Sequence, residues 1–330
     1  MDHLDDTVSR PRRSLILGAA AALGWPRAFA QSWPARPVKV LLGFPAGGSI
    51  DSITREIAQG LTNRLGQSFI VENRPGAAST IAMAATAAAA PDGYTLCSVS
   101  SHLAATPKLY PNLSYDVNTS FTPIALEVVV PTLLVAPASL KVNTVQELVA
   151  LAKANPGKLS YASTGNGGVV HLSSERFKAA AGIDIVHVPY RNDMESQMGI
   201  LRGDVTMQFA VPSTAIVHVR AGTMKALAWS SLQRGSMLPD VPTIAESGYP
   251  GFSAVAWYGL IGPARLPKPI ADRLAAEIRQ IISAPDMLTK LRAQGLEPAT
   301  DSTPEKFAGF IKSEAEKWAA VIVANNIKGD

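Results

Sequence analysis

The residues best suited to binding chemistry form one short turn, Phe44-Pro45-Ala46-Gly47-Gly48-Ser49-Ile50-Asp51. The apolar run before it, Val38–Leu42, predicts a buried strand. Apolar residues then recur three or four positions apart from Ile50 to Leu65, which is typical of an amphipathic helix that Ser49 or Asp51 can cap. Free amide groups and the positive end of the helix dipole meet at such a turn. The turn therefore predicts a seat for a carboxylate or a phosphate, with an ordinary strand-to-helix turn as the alternative.

The glycines of this turn exclude the common nucleotide-binding motifs. They are adjacent rather than spaced GxGxxG, and the P-loop lysine is absent. We expect Gly48 to allow close approach of a ligand to the backbone and to adopt a positive φ angle.

A second turn repeats this chemistry in the other half of the chain, Thr164-Gly165-Asn166-Gly167-Gly168. It follows a predicted strand at residues 159–163 and leads into a predicted helix that carries His171. Two such turns, one in each domain, are expected to face each other across a cleft.

The first thirty residues predict an export signal that is cleaved near Ala30. Arg12 and Arg13 precede an apolar run of about eleven residues, which is too short to span a bilayer. The paired arginines favour twin-arginine export, although a general secretory signal can also carry two. A membrane anchor is the alternative.

Composition excludes several classes of function. Residues 1–30 hold four Arg and three acidic residues, so without them the net charge falls from +4 to +3. No run of Lys and Arg marks a nucleic-acid surface. The single cysteine, Cys97, precludes an intramolecular disulfide and is expected to be a buried apolar residue. One cysteine and scattered histidines offer no metal-ligand spacing, so neither a metal nor a cofactor is expected.

Strands and helices alternate through the mature chain, which predicts an α/β fold with two domains. Strands at Phe69–Asn73 and at residues 94–99, with a helix at 81–90 between them, predict a parallel sheet. The second of these strands ends in Ser100-Ser101-His102, at the edge where open α/β sheets bind ligands.

The chain is expected to cross between the domains twice. Phe121–Val130 and residues 132–135 predict extended segments separated by Pro131, and residues 253–260 predict the strand that returns to the first domain. Two closing amphipathic helices, after Pro269 and after Pro304, are expected to cover the first sheet.

Six motifs together resemble a known family along essentially the whole mature chain. Their order and spacing are similar to those of the periplasmic Bug-type receptors of tripartite tricarboxylate transporters. The motifs are Pro45-Ala46-Gly47-Gly48-Ser49-Ile50-Asp51, Glu72-Asn73-Arg74-Pro75-Gly76-Ala77, Ala90-Pro91-Asp92-Gly93-Tyr94-Thr95-Leu96, Val188-Pro189-Tyr190-Arg191, Leu238-Pro239-Asp240-Val241-Pro242-Thr243 and Pro267-Lys268-Pro269.

The resemblance implies a type II periplasmic-binding-protein fold, with two α/β lobes, two hinge crossovers and a ligand cleft between the lobes. We expect lobe 1 to comprise residues 31–130 and 254–330, and lobe 2 residues 131–253. The two glycine turns are then implied to hold the carboxylate of a ligand, partly through ordered water. Carried onto this chain, this implicates Phe44, Gly47, Gly48, Ser49 and Asp51 opposite Thr164, Gly165, Asn166 and Gly167, with Ser79, Thr80, Ser101, Tyr190, Phe209 and Trp257 lining the pocket.

The chain departs from the family pattern at two places. Ala78 and Ser79 replace glycines that are usual there. Residues 190–195 read Tyr-Arg-Asn-Asp-Met-Glu instead of Tyr-Lys-Gly-Ser-Ala-Pro. Arg191 is expected either to remain solvated or to grip a second carboxylate of the ligand in bidentate fashion.

Four candidate residues have plain structural interpretations. The charge of Asp51 would repel a ligand carboxylate, so we expect it to hold the turn, to cap the helix or to contact the ligand through water. His171, Phe209 and Trp257 can each be packed core residues instead of ligand contacts.

The function implied by the resemblance is that of a monomeric receptor that closes on a small carboxylate and delivers it to the subunits of a membrane permease. A ligand sensor for a membrane signalling protein shares the fold and is an alternative. A hydrolytic enzyme is a second alternative, but no GxSxG elbow or other catalytic signature supports it.

Overall fold

The computed structural model describes residues 33–110, 112–165, 168–325 and 327. The predicted export signal lies outside these residues, as do Asn166 and Gly167. The strands and helices are β1 Val38–Leu42, α1 Ser49–Leu65, β2 Phe69–Asn73, α2 Thr80–Ala87, β3 Thr95–Ser100, α3 His102–Leu109, β4 Phe121–Val130, β5 Leu133–Pro137, α4 Val145–Ala154, β6 Ser160–Ser163, α5 Val169–Ala181, β7 Val186–Pro189, α6 Asp193–Arg202, β8 Met207–Ala210, α7 Pro212–Arg220, β9 Met224–Trp229, β10 Ala256–Pro263, α8 Lys268–Ile282, α9 Pro285–Ala293, β11 Glu297–Pro298 and α10 Pro304–Ala324. Among the described helices, none is both long and apolar enough to span a bilayer.

The first sheet has six strands in the order β11-β4-β10-β3-β1-β2. β1 runs parallel to both β2 and β3, so their carboxyl ends meet at one edge, while β10 is antiparallel to β3 and β4. Successive side chains of a strand point to opposite faces. Val38 and Val40 therefore pack with the apolar stripe of α1, whereas Leu41 joins the core on the opposite face.

The second sheet has five strands in the order β7-β6-β8-β5-β9. β6 is parallel to β7 and β8, and β5 is antiparallel to β8 and β9. Thr144 caps the start of α4, where its hydroxyl accepts from the Glu147 amide at 3.1 Å, and Glu147 Oε2 in turn accepts from the Asn143 amide at 2.5 Å.

Two connections between the sheets lie side by side. One runs from Val130 to Leu133 and the other from Trp229 to Ala256. The amide of Thr132 donates to the Ser230 hydroxyl at 2.8 Å, and the Ser230 amide donates to the Thr132 carbonyl at 2.9 Å. The hydrogen bonds tie the two crossovers into one narrow strip between the sheets.

The closing segment holds more elements than the two helices that were expected. α8 and α10 both pack on β4, and α10 also contacts α3 and α5. The extra elements are α9 and β11. α9 was missed because it is a nine-residue helix close behind α8, and Leu291 is its only buried residue. α3 was missed because Pro107 lies inside it and its buried residues are consecutive. The returning strand β10 also begins three residues later than expected, at Ala256.

A buried carboxyl group lies in the middle of β4. Val128 pairs with Tyr258 and Leu126 with Gly259, so Glu127 is left at a bulge without a partner on β10. The Glu127 side chain is 1% exposed, and its Oε2 has no hydrogen-bond partner among the described residues. Burial raises the pKa of Glu127 to about 8.

This carboxyl group predicts a pH dependence of stability. Between pH 4.5, its ordinary pKa, and about 8, the folded protein keeps a proton that the unfolded chain has released. Stability should therefore fall as the pH rises through this window, by up to about 1.4 kcal/mol per pH unit. Urea unfolding should show that Glu127→Gln removes this slope. Glu316→Gln, which changes an exposed carboxyl group, should retain it. Equal slopes in both variants would contradict the assignment.

Candidate functional site

The first glycine turn connects β1 to α1 and corrects two sequence predictions. Gly48 is the N-cap residue, with φ −78° and ψ 170°, and no side chain caps the helix. Ser49 and Asp51 are therefore not caps. The positive φ angle belongs to Gly47, at 89°, and not to Gly48. A single left-handed residue at Gly47 reverses the chain, after which an extended Gly48 enters the helix.

Asp51 organises this turn from inside. It is 4% exposed, and its Oδ2 accepts from the Gly47 amide at 2.9 Å and from Arg55 Nε at 3.0 Å. Its Oδ1 accepts from Asn73 Nδ2 at 2.8 Å. The hydrogen bond from Arg55, with those from Gly47 and Asn73, outweighs burial and lowers the pKa of Asp51 to about 2. Asp51 is thus an ionised structural anchor whose acceptor oxygens are already used.

Asn73 and Arg55 are parts of the turn that sequence reasoning missed. Asn73 ends β2 directly opposite Leu42, and its Nδ2 also donates to the Phe44 carbonyl at 3.0 Å. Arg55 Nη2 donates to Asn73 Oδ1 at 2.7 Å. The sequence did carry a signal for Asn73, because this residue lies in one of the family motifs and at the carboxyl end of a predicted strand.

The space above this turn is open. A Cβ atom built on Gly47 or Gly48 would meet no atom within 4 Å. Ser49 is exposed at the first helical position, near Tyr258 of β10. The backbone of the turn is therefore accessible to a ligand without movement of a covering side chain.

Ser79 lies at the base of the turn with an unpaired hydroxyl. It has φ 75°, a left-handed conformation that favours glycine, the residue usual in the family at this position. Its side chain packs so closely on Gly43 that a Cβ atom there would lie 1.9 Å from Ser79 Oγ. Ser79 is 3% exposed, and its Oγ finds no partner among the described residues. A ligand or water oxygen could satisfy this donor. Thr80, the next residue, starts α2.

His102 links the first turn to the second lobe. Its ring lies 5.7 Å from the Phe44 ring, and its Nδ1 is 3.0 Å from Ser100 Oγ. Ser101 and His102 share a small gap with Val169 and Leu172, which begin the helix after the second glycine turn. Burial lowers the pKa of His102, which favours a neutral ring. Only Ser101 of this pair was among the predicted site residues, although both stand at the predicted ligand edge.

The second turn is supported by a stack of three rings. The rings of His187 and His171 lie 4.3 Å apart, and those of Tyr161 and His187 lie 4.9 Å apart. His187 Nε2 is 2.5 Å from Ser163 Oγ, which accepts from the Gly165 amide at 3.2 Å. Gly165 has φ 112° and Thr164 is exposed. Thr164 therefore faces outward, while Ser163, which contacts His187, holds the partly exposed Gly165 from beneath.

The remaining candidates are Phe209, Trp257 and Tyr190, which pack against other residues of the protein, and Arg191, which is exposed. Phe209 and Trp257 are fully buried, with Phe209 6.0 Å from Phe177 and Trp257 5.5 Å from Phe307, ring to ring. Tyr190 packs over Gly199 in α6. Arg191 is exposed, and its one hydrogen bond to a described residue is from its backbone amide to Glu195 Oε2 at 3.1 Å. The structure thus shows packing for the first three, and their contact with a ligand stays a prediction.

Among the described residues, no three His, Cys, Asp or Glu side chains form a potential metal site. Cys97 is buried, as predicted, and burial raises the pKa of its thiol to about 12.

Comparison with known proteins identifies relatives along the whole fold. The model of the tripartite tricarboxylate transporter family receptor matches residues 53–327. Protein BugT of Bordetella pertussis is 35% identical over 295 residues, which cover 89% of this chain and 90% of BugT.

Two solved structures share the fold. The R. palustris protein Rpa4515 with adipate is 31% identical, with a TM-score of 0.72 over 90% of this chain and 99% of its own. MatC (Rpa3494) from Rhodopseudomonas palustris with bound malate is 30% identical, with a TM-score of 0.69 over 88% of this chain and 100% of its own. The fold expected from the motifs, two α/β lobes of a periplasmic binding protein, is confirmed.

The buried position of Asp51 predicts a large effect of its charge on stability. Asp51→Asn removes the ion pair with half-exposed Arg55 and weakens a charged hydrogen-bond network, which should cost about 1–3 kcal/mol at neutral pH. The stabilisation is present above the ordinary pKa of 3.8 and is lost as the pH falls towards about 2. Urea unfolding at several pH values measures both effects.

The control for this prediction is Asp92→Asn. Asp92 pairs with Arg36 on the surface, where both side chains are about half exposed, so its loss should cost less than about 1 kcal/mol. Equal unfolding free energies for the two variants would contradict an anchoring role for Asp51.

Proposed function

Because the chain belongs to the tripartite tricarboxylate transporter receptor family, we propose that it captures a small carboxylated solute in the periplasm and delivers it to a membrane permease. The family is one of solute receptors and not of enzymes.

The observation that carries the proposal is the open backbone of the first turn. Gly47 and Gly48 are exposed, α1 begins at Ser49, and the ionised Asp51 is paired with Arg55 beneath them. An ion pair of zero net charge leaves the dipole of α1 and the free amides as the main electrostatic feature facing outward. This arrangement favours one carboxylate over a polyphosphate, which would call for several Lys or Arg.

Relatives support the carboxylate class. One related structure contains adipate and another contains malate, and both are small dicarboxylates. The second carboxylate of such a ligand would need a further partner. The exposed guanidinium of Arg191 is our candidate for that partner if lobe closure brings it to the ligand.

Binding is proposed to close the lobes without chemistry. Thr132 and Ser230 lie in the two crossovers between the sheets, and the Ala254 amide donates to the Ser230 carbonyl at 2.9 Å, so we place the backbone change near residues 125–135 and 250–256. Closure would bring the Thr164–Gly165 side of the cleft onto a ligand seated on the first turn. The protein is proposed to act as a monomer.

A screen of small molecules tests the ligand class. A ligand at about a hundredfold over its dissociation constant stabilises the folded state by roughly 2.7 kcal/mol, or on the order of 5–10 °C in melting temperature. We expect malate, adipate or a small aromatic acid to give this shift, and sugars and peptides to give none. A shift with sugars or peptides alone would contradict the proposal. Native mass spectrometry should then show that the bound acid is released unchanged, whereas a modified acid would favour an enzyme.

Two adjacent substitutions test the anion seat. Gly48→Val should fold normally, since Gly48 has an extended backbone and open space for a side chain, but the new side chain should block binding of the acid found in the screen. Gly47→Val should in addition lower stability by roughly 1–2 kcal/mol, because Gly47 is left-handed. Calorimetric titration and thermal melting measure the two effects. Unchanged affinity in folded Gly48→Val would remove this turn from the site.

A further inference from the structure

A groove lies between the lobes on the side opposite the glycine turns. Its volume is about 590 Å³, within the usual range for small-molecule sites. Its walls are the second half of α5, the loop at residues 248–252 and the last turns of α10. α5 and the loop belong to the proposed lobe 2, whereas α10 belongs to lobe 1.

The contacts along α5 show where this groove stands relative to the crossover. Val169 and Leu172, next to the second glycine turn, face Ser101 and His102 of lobe 1. One residue further, Ser173 Oγ donates to the Ala254 carbonyl in the crossover at 3.4 Å. Only beyond that point, from Arg176 onward, does α5 line the groove. The crossover therefore lies between the glycine turns and the groove.

The position of the crossover, between the glycine turns and the groove, has a mechanical consequence. A rotation about the crossover that moves the two glycine turns apart must bring the far half of α5 towards α10. The groove should accordingly narrow when the cleft opens and widen when the cleft closes. Anything that occupies the groove would then resist opening.

The chemistry of the groove indicates an anionic occupant with an apolar body. Arg176 is the only charged residue among the described residues that line it. Arg176 Nε is buried without a hydrogen-bond partner in the described structure, and its guanidinium carbon lies 5.4 Å from the centroid of the Phe252 ring. The apolar walls are Tyr249, Phe252, Val321 and four alanines, Ala179, Ala180, Ala320 and Ala324.

Glu314, the acidic residue that acts on Arg176, does not neutralise it. Glu314 acts on Arg176 electrostatically, but its Oε1 accepts from Lys317 Nζ and its Oε2 accepts from Trp318 Nε1 at 2.9 Å. Arg176 and Lys317 together with Glu314 leave one net positive charge beside the groove. A guanidinium that has no ion-pair partner within the described part of the chain, and that lies next to an aromatic wall, suits a carboxylate or sulfonate carried on an apolar group.

We propose that this groove is a second binding site, for a small organic anion with an apolar body, and that its occupancy favours the closed arrangement of the lobes. The second part rests on the lobe closure proposed above. Arg176 holds the acid group, and the alanine-lined walls of α5 and α10 enclose the apolar part.

Anilinonaphthalenesulfonate, a fluorescent aromatic anion, tests the site itself. Wild-type protein should bind it saturably, and Arg176→Met should weaken that binding at least tenfold because it keeps the apolar bulk and removes the charge. Arg292→Met, which changes an exposed arginine on α9, is the matched control and should bind as the wild type does. Absence of saturable binding, or equal binding by Arg176→Met, overturns the site.

Filling the groove tests its coupling to the lobes. Ala320→Trp or Ala324→Trp places an indole in the groove and should make the ligand-free protein more compact in small-angle X-ray scattering. Ala293→Trp, at an exposed alanine outside the groove, should leave the radius unchanged. Thermal melting identifies variants that do not fold. An unchanged or larger radius in both folded groove variants overturns the coupling.

Both readouts work without any ligand in the cleft. A screen in which no organic acid binds would therefore contradict the proposed function and leave the results on the groove standing. Conversely, acid binding in the cleft with no response to Arg176→Met or to the tryptophan variants would contradict the second site alone.

Discussion

The ion pair inside the first glycine turn is the interaction on which the proposed binding face depends. An ionised carboxylate can be buried only if charged and hydrogen-bonding partners compensate for the lost water. Asp51 has such partners in Arg55, Asn73 and the Gly47 amide. These bonds fix a left-handed Gly47 and direct the start of α1 outward. Because Arg55 pairs with Asp51, the negative charge of Asp51 does not determine the electrostatic potential at the surface of the turn, where a ligand would bind.

In the second lobe, different contacts hold the glycine turn in place. Its glycine turn is held from below by Ser163, which contacts His187, and its helix α5 begins against Ser101 and His102 of the first lobe. α5 then passes the crossover and ends at a groove shared with α10. One helix thus connects the second turn, the crossover and the groove. Coupling between the cleft and the groove follows from this rigid connection and requires no relay of side chains.

Local patterns were sufficient for much of the fold. The bounds of β1, β2 and β4 were predicted to the residue, because each is a mostly apolar segment followed directly by Gly43, by Arg74-Pro75 or by Pro131. α3 was missed because it contains Pro107 and its buried residues are consecutive, and α9 because it is short and buries only Leu291. Within the site, both glycine turns were recognised from their residue types. The roles of Asn73 and Arg55 were not, since they arise from hydrogen bonds between neighbouring elements, and the φ angles of adjacent glycines cannot be told apart from sequence.

A crystal structure with a bound acid tests most directly whether the first glycine turn binds the carboxylate of the ligand. The protein would be crystallised with whichever of malate or adipate gives the larger thermal shift. We expect one carboxylate within hydrogen-bond distance, about 2.7–3.2 Å, of the backbone amides at the start of α1. We also expect the Thr164–Gly165 turn on the opposite side of the same ligand. An acid bound elsewhere, with both glycine turns facing only solvent, would contradict the proposed binding site.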